Sequence, residues 1–281
     1  MRNLLALGNN PTYLSRYVAI RDSKQAPVRP VLVAHHAAIS DRYQQLLDRA
    51  ADDELEAIGN SPLLAIRSQL RACYDGKTLS LLALKKAIKD AQPQRRLKYC
   101  PYCGTTKSET HDHYLPATRF PEFAVNGLNL VPCCFRCNTI KDDDWLDGDG
   151  RRRFVHFYLD AIPDADFLKV ALLVAPPLRG VGARFSIEQA GMDDDDWRLI
   201  RSHFDRLHLL ERYGEDANDE IAEMLEAGAA YLQTGGMDVR AFLLLQAGNS
   251  ADVFGRANWR AVLLRALAGH PDVEDWIAEF S

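Results

Sequence analysis

Two pairs of closely spaced cysteines constrain this chain more than any other feature of its sequence. Cys100 and Cys103 form one Cys-x-x-Cys pair, and Cys134 and Cys137 form a second pair farther along. Four thiolates presented in this way can close a tetrahedral zinc site, which then fixes the chain on both sides of the intervening loop. We therefore predict a structural zinc ion that is held by these four cysteines.

Cys133 is an alternative ligand because it lies next to Cys134. Only Cys134 has the two-residue spacing to Cys137 that makes a Cys-x-x-Cys pair, so we predict Cys134 as the ligand. Six cysteines in a chain of 281 residues, four of them in pairs, indicate metal binding rather than disulfides. Together with the absence of an apolar run of about 18 residues, this predicts a cytoplasmic protein that does not enter a membrane.

The composition is that of a globular protein, with 47% hydrophobic and 26% charged residues and a net charge of −5. An acidic chain is not an indiscriminate DNA-coating protein, so any contact with nucleic acid must come from a local basic surface. Residues 94–141 contain seven Lys and Arg against three Asp and Glu. This local excess suits a phosphate backbone, although solvated surface is the alternative, and Arg119 and Arg136 are candidate contacts.

The hydrophobic pattern predicts helices on both sides of this central stretch. Residues 1–93 are expected to form a helical region, with helices that begin near Ser40, at Ser61-Pro62 and at Thr78. The acidic run at residues 142–150 is expected to be a linker. Residues 150–281 are expected to be mainly helical, with a strand pair or a buried helix near residues 167–188 and a helix that begins at Asp193.

Polar residues lie between and beside the cysteines, where a structural zinc site does not need them. They are Asp112-His113 with Pro116, then Asn129-Leu130, and then Asn138 and Lys141 in the run Cys-x-x-Cys-Asn-x-x-Lys. In this order and spacing, residues 100–141 resemble the HNH endonucleases, also called ββα-metal nucleases. The resemblance implies a small zinc-stapled ββα module at residues 94–149, within a mostly α chain of the α+β class.

Hydrolysis of a phosphodiester needs a base that deprotonates water and a cation that stabilises negative charge. Histidine suits the first task, and Asp and Asn oxygens suit Mg²⁺ or Mn²⁺. The resemblance implies that His113 is the general base, that Asp112 and Asn138 hold the metal, and that Asn129 braces the loop. It further implies that Lys141 contacts phosphate and that the products carry a 5′-phosphate and a 3′-hydroxyl.

Two details of these assignments depend on the local backbone and on the metal. Adjacent residues of a regular strand point to opposite faces, so Asp112 and His113 can serve one site only where the backbone is distorted. Asn138 occupies a position where many members of the family have histidine, which favours Mg²⁺ or Mn²⁺ over softer metals. His111 is an alternative base.

These observations predict an endonuclease that acts on DNA, with RNA as an alternative substrate. A single site cuts one strand, so the protein should nick, or cut a duplex as a homodimer or with a partner. The helical surround resembles the HNH subunits of bacterial anti-phage defence systems of the Septu or Zorya type, which act beside an ATPase subunit. The alternatives are a self-contained restriction endonuclease and a non-catalytic zinc module that binds nucleic acid or protein.

Overall fold

The computed structural model describes residues 1–93, 95–175 and 180–279. About half of the chain is helical, and the named strands form two small antiparallel sheets, which confirms the mixed α+β class. The contacts divide the chain into two compact units. The N-terminal unit comprises Asn3–Tyr102 and Thr106–Ala161, and the C-terminal unit comprises Met1–Arg2, Cys103–Thr105 and Ile162–Ser281.

The N-terminal unit begins with a group of helices, as the periodicity predicts. Thr78 caps the last of them by accepting a hydrogen bond from the N–H of Leu81 at 3.4 Å. The helix predicted after Ser61-Pro62 is instead a turn, a 3₁₀ helix and one short α-helix. The helices are α1 Tyr13–Asp22, α2 Val28–Ala34, α3 His36–Ala51, α4 Arg67–Arg71 and α5 Leu79–Asp90, with 3₁₀ helices at Leu55–Ala57, Leu64–Ile66 and Arg96–Lys98.

Two strands and a helix follow within the same unit. Strand β1 (Thr110–His113) pairs antiparallel with β2 (Leu130–Cys133), and Asp112 lies opposite Val131. A loop with a 3₁₀ helix at Pro121–Phe123 connects the strands. Helix α6 (Phe135–Lys141) begins directly after β2. Helix α6 packs against β1.

The acidic run that follows α6 is folded rather than a free linker. Asp147 accepts hydrogen bonds from the N–H groups of Asp149 at 3.0 Å and Arg151 at 2.8 Å, which closes a turn. Asp144 pairs with Arg153 at 2.8 Å. The sequence predicted a boundary here because a run of aspartates and glycines is typical of a linker, but side-chain bonding to the backbone makes it a compact turn.

Residues 150–161 belong to the N-terminal unit, which ends at Ala161. The buried side chain of Arg152 accounts for this placement. It forms ion pairs with Asp160, with Asp53 at 3.3 Å and with Glu56 at 3.2 Å. These contacts bind the segment to the helices at the start of the chain.

In its described residues, the C-terminal unit combines one antiparallel strand pair with five helices. Strands β3 (Leu168–Ala175) and β4 (Gly180–Ile187) pair antiparallel from Leu168 opposite Ile187, so these two segments form a strand pair rather than a buried helix. Asp193 caps the next helix by accepting from the N–H of Asp196 at 2.9 Å. The helices are α7 Asp194–Arg206, α8 Leu209–Gln233, α9 Val239–Phe254, α10 Trp259–Gly269 and α11 Val273–Ala278. Within the described ranges, none of the helices has the length and apolarity needed to cross a membrane.

His156 is a histidine in the core of the N-terminal unit that stays neutral. Its ring lies 4.3 Å from that of Tyr114, and the side chain is buried. Burial, together with the positive charge of Arg152, lowers the pKa of His156 to about 3. In the unfolded chain the pKa is about 6.5, so below that pH the unfolded state binds a proton that the folded state does not. Stability is therefore lost as the pH falls below about 6.5.

We predict that His156→Gln makes the fold less sensitive to acid. In the wild type this one group should lower the free energy of unfolding by about 2 kcal/mol between pH 7 and pH 5, because only the unfolded state is protonated there. Urea denaturation at both pH values measures the loss, which should be smaller by about that amount in the variant. An equal loss in both proteins would contradict a neutral, buried His156.

Candidate functional site

The four cysteines of the two pairs meet in one buried cluster. Their sulfur atoms all lie within 4.8 Å of one another. A tetrahedral zinc ion with Zn–S bonds of about 2.3 Å holds its sulfurs about 3.8 Å apart, so the cluster is close to the size that zinc requires. Cys100, Cys103, Cys134 and Cys137 could therefore hold a metal ion such as zinc.

Hydrogen bonds to two of the sulfurs support a thiolate cluster. The Thr105 hydroxyl donates to Cys103 Sγ at 3.5 Å, and the N–H of Cys137 donates to Cys134 Sγ at 3.4 Å. Such donors stabilise the thiolate, which is the form that binds metal. All six cysteines lie in the described part of the chain, and none of them forms a disulfide there.

Cys133 lies outside this cluster although it is adjacent to Cys134. It is paired with Thr110 across the sheet and is fully buried. Burial raises the pKa of its thiol far above the usual value, and the nearby Asp112 carboxylate acts in the same direction. Cys133 therefore stays a neutral thiol, and the placement agrees with the prediction that Cys134 is the ligand.

We predict that Cys134→Ser removes bound zinc from the purified protein and that Cys133→Ser does not. Serine cannot supply a thiolate at the cluster, whereas a neutral thiol at position 133 contributes no ligand. Metal content is measured by plasma mass spectrometry, with one zinc ion per chain expected for the wild type and for Cys133→Ser. Equal loss of zinc from both variants would contradict the proposed ligand set.

A second group of polar side chains lines a cavity of about 390 Å³ in the N-terminal unit. Asp112 and His113 reach it from the end of β1, and Asn138 reaches it from α6. The residues predicted as base and metal ligands thus share one cavity. The remaining walls are formed by Arg71, Pro116, Ala117, Thr118, Thr139, Asp142 and Asp143.

The backbone bends directly after β1, at the edge of this cavity. The ammonium of Lys141 donates to the carbonyl of His113 at 3.2 Å and to the carbonyl of Tyr114 at 3.0 Å. Successive carbonyls of a regular strand point in opposite directions, so one ammonium reaches both only where the extended conformation has ended. The strand pairing is regular through His113, so the distortion expected at Asp112 and His113 begins only after these two residues.

His113 is held with one ring nitrogen free of a proton. Its Nε2 lies 2.9 Å from the carbonyl oxygen of Ala124, and because a carbonyl can only accept, Nε2 carries the hydrogen. Nδ1 is then the basic nitrogen. Tyr74 packs edge-on against the ring, with the centroids 4.5 Å apart. Burial lowers the pKa of His113, although the bond to Ala124 opposes this shift, so the ring is neutral at pH 7.

His111, the alternative base, has a different setting. It is not among the residues that line the cavity. Burial lowers its pKa to about 4, with a further contribution from the positive charge of Lys85. His113 is therefore the histidine that the structure places beside Asp112 and Asn138.

Asp112 is buried, and its carboxylate is oriented by two partners. The Tyr102 hydroxyl donates to Oδ2 at 2.8 Å. The ammonium of Lys141 lies 3.2 Å from Oδ1 and 3.1 Å from Oδ2. An ionised carboxylate has about four lone-pair positions, so this bonding leaves capacity for a cation.

The structure corrects the phosphate contact that was predicted for Lys141. The side chain is fully buried, and its acceptors are the Asp112 carboxylate and the carbonyls of His113 and Tyr114. An ammonium has three donors, and these three groups use all of them. Lys141 is therefore the internal counter-ion of Asp112 rather than a ligand for DNA.

We predict that Lys141→Met lowers the free energy of unfolding by about 3–5 kcal/mol, because it leaves the buried Asp112 carboxylate unpaired. The matched control is Lys86→Met, which removes an exposed lysine that pairs with Asp90 and should cost less than about 1 kcal/mol. Denaturant titration measures both values. A small, similar cost for the two variants would contradict the internal role of Lys141.

The Asn129 side chain forms hydrogen bonds with the backbone of the loop between the two strands. Its side-chain oxygen accepts from the N–H of Leu115 at 2.7 Å. Its amide donates to the carbonyl of Leu115 at 3.1 Å and to that of Phe123 at 3.2 Å. Phe123 directly precedes Ala124, the partner of His113, so Asn129 holds the segment that orients the His113 ring.

Side chains that carry oxygen atoms line the cavity, and oxygen is the ligand type that hard divalent cations prefer. Asn138 is half-buried, Asp142 is exposed with φ 43°, and Asp143 accepts from the Thr118 hydroxyl at 2.6 Å. In the described ranges the cysteine cluster is the one group of three or more His, Cys, Asp or Glu suited to a metal. A metal ion held by Asp112 and Asn138 would thus need water molecules to complete its coordination. This suits Mg²⁺ or Mn²⁺, because these ions retain several waters.

The two arginines predicted to contact DNA are exposed. Arg119 donates to the side-chain oxygen of Asn60 at 3.3 Å and lies over the ring of Phe120. Arg136 is at the start of α6, next to Phe135, whose side chain is 72% exposed. Both guanidiniums are accessible to a ligand, and neither lines the cavity.

Three residues of this region were missed by sequence reasoning. Arg71 and Tyr74 lie before the stretch that resembles a known family, and no spacing connects them to it. Tyr102 had a usable signal, because it lies inside the first Cys-x-x-Cys pair and is therefore held close to the cluster. Acidic residues 142 and 143 were interpreted as linker, although they directly follow α6.

Comparison with known proteins adds one distant relative. No family model matches the chain, and no solved structure matches it. A stretch of 130 residues is 30% identical to Protein ea31 of Escherichia phage lambda. The match covers 45% of this chain and 43% of the phage protein, so the chain matches less than half of the length of that relative.

Proposed function

We propose that this protein is a metal-dependent HNH endonuclease that hydrolyses phosphodiester bonds in DNA. The observation that carries the proposal is the shared cavity of Asp112, His113 and Asn138, in which His113 Nδ1 is unprotonated. The order of strand, loop, strand and helix around the cavity supports the same activity, as does the cluster of four cysteines.

In this proposal, His113 Nδ1 accepts a proton from the attacking water. Burial keeps the imidazole neutral, and therefore able to act as a base, at neutral pH. The Ala124 carbonyl at Nε2 stabilises the imidazolium that forms, because its oxygen carries partial negative charge. Tyr74 limits rotation of the ring, so that Nδ1 keeps its direction.

Asp112 and Asn138 would hold the divalent cation. Bound there, Mg²⁺ or Mn²⁺ would supply stabilisation of negative charge on the phosphate and on the leaving oxygen. Tyr102 and Lys141 fix the orientation of the Asp112 carboxylate. Because Lys141 already neutralises much of the Asp112 charge, we expect weak metal binding at this site.

The cysteine cluster, loaded with zinc, is proposed to be structural. Four thiolates close the coordination sphere and leave no position for water. Two of the ligands, Cys134 and Cys137, lie at the start of α6, the helix that carries Asn138. Zinc at the cluster would therefore fix the helix that supplies a ligand of the catalytic metal.

The wider setting is proposed from the resemblance of the sequence. DNA is the expected substrate, with RNA as the alternative, and Arg119 and Arg136 are the proposed contacts outside the cavity. One site per chain implies nicking, or duplex cleavage as a homodimer or with a partner. We further propose a role in anti-phage defence beside an ATPase subunit, which is tested by co-purification from the native host.

We predict that the purified protein nicks or linearises supercoiled plasmid with Mg²⁺ or Mn²⁺ and that His113→Ala lowers the rate at least about 100-fold, because a general base contributes about 10²–10⁴-fold. The matched control is His111→Ala, on the same strand but outside the cavity, which should retain activity. Circular dichroism and zinc content should be the same for all three proteins. Cleavage that persists in His113→Ala would contradict the assignment of the base.

A second candidate function is a zinc-stapled module that binds nucleic acid without cutting it. The ion pair between Asp112 and Lys141 favours this alternative, because a lysine already occupies the carboxylate. The plasmid experiment separates the two functions. If the protein binds the plasmid but yields no cleavage product at any concentration of Mg²⁺ or Mn²⁺, the result would support the binding module and contradict the nuclease.

A further inference from the structure

Arg71 places a positively charged guanidinium at the candidate site, although it lies outside the stretch that resembles the HNH family. It is the last residue of α4, and it lines the same cavity as Asp112, His113 and Asn138. Its side chain is exposed. Within the described part of the chain, the Arg71 guanidinium forms no ion pair and no side-chain hydrogen bond.

The charges around the cavity show why the positive charge of Arg71 matters. Lys141 is used internally by Asp112, so it gives no positive charge to a ligand. Asp142 and Asp143 add negative charge to the walls. A phosphodiester that entered would be repelled by these carboxylates, and Arg71 is the basic residue among the lining residues that is placed to offset the repulsion.

The position of Arg71 is fixed by the chain on both sides of it. Leu70 and Cys73 are buried, which anchors the end of α4 in the core. The carbonyl of Arg71 accepts from the N–H of Tyr74 at 2.9 Å. Tyr74 in turn packs against His113. One short turn therefore sets both the base and the guanidinium in relation to the cavity.

We propose that Arg71 binds a phosphodiester oxygen of the nucleic-acid substrate in this cavity. This inference rests on the proposed function. A guanidinium is suited to the task because its planar set of donors matches two phosphate oxygens at once. Arg71 thereby takes the phosphate-binding role that the resemblance implied for Lys141.

The first test compares cleavage by Arg71→Gln, Arg71→Lys and the control Arg67→Gln. Arg67 is an exposed arginine one helical turn away on α4 that does not line the cavity. We expect Arg71→Gln to lower kcat/KM about 10- to 100-fold and Arg71→Lys to restore part of it, since lysine keeps the charge but not the paired donors. Arg67→Gln should stay within about twofold of the wild type. Equal rates for Arg71→Gln and Arg67→Gln would overturn the inference while leaving the nuclease proposal intact.

The second test measures binding without cleavage, in a His113→Ala background. The slope of log Kd against log salt concentration for a short DNA duplex should decrease by about one for Arg71→Gln and stay unchanged for Arg67→Gln. An unchanged slope for Arg71→Gln would overturn the phosphate contact. A reduced slope, in a protein whose wild type shows no cleavage, would support the contact and contradict the nuclease proposal.

Discussion

The buried ion pair between Lys141 and Asp112 is the interaction on which the candidate site depends. It joins the last residue of α6 to the end of β1, and the same ammonium binds the carbonyls of His113 and Tyr114. Separating these charges inside the protein is costly, so the strand end and the helix are held as one piece. Asn138 lies one turn before Lys141 and therefore keeps a fixed position relative to Asp112 and His113.

Helix α6 is held at both ends by interactions other than its own hydrogen bonds. It has seven residues, which is too short for a helix that is stable by itself. Cys134 and Cys137 tie its start to the cysteine cluster, and Lys141 ties its end to Asp112. Zinc would therefore influence the cavity without entering it, because it would fix the helix that carries Asn138.

The same ion pair limits what the site can do. Lys141 is not available for phosphate, and Asp112 is partly neutralised before any metal binds. Positive charge for a substrate must then come from elsewhere, and Arg71 supplies it from a helix that precedes the cysteine pairs. The N-terminal helices are thus part of the candidate site, through Arg71 and through the packing of Tyr74 on His113.

The sequence predicted the parts of the site that depend on local spacing. The Cys-x-x-Cys pairs identified the four clustered cysteines, and Asp112, His113 and Asn138 do line one cavity. The contacts that it could not predict join distant residues. Burial of Lys141, the ion pairs of Arg152 with Asp53 and Glu56, and the approach of Arg71 all depend on tertiary packing. An exposed and a buried lysine look alike in a sequence, which is why Lys141 was predicted to contact phosphate.

We propose that Asp112 and Asn138 form a site for a divalent cation beside His113. Crystals of the protein soaked in Mn²⁺ test it directly, because anomalous scattering locates manganese and distinguishes it from zinc at the cysteines. We predict an anomalous manganese peak within bonding distance of the side-chain oxygens of Asp112 and Asn138, at about 2.0–2.2 Å. Fully bound zinc at the cysteine cluster with no manganese in the cavity, even at high Mn²⁺ concentration, would contradict the claim.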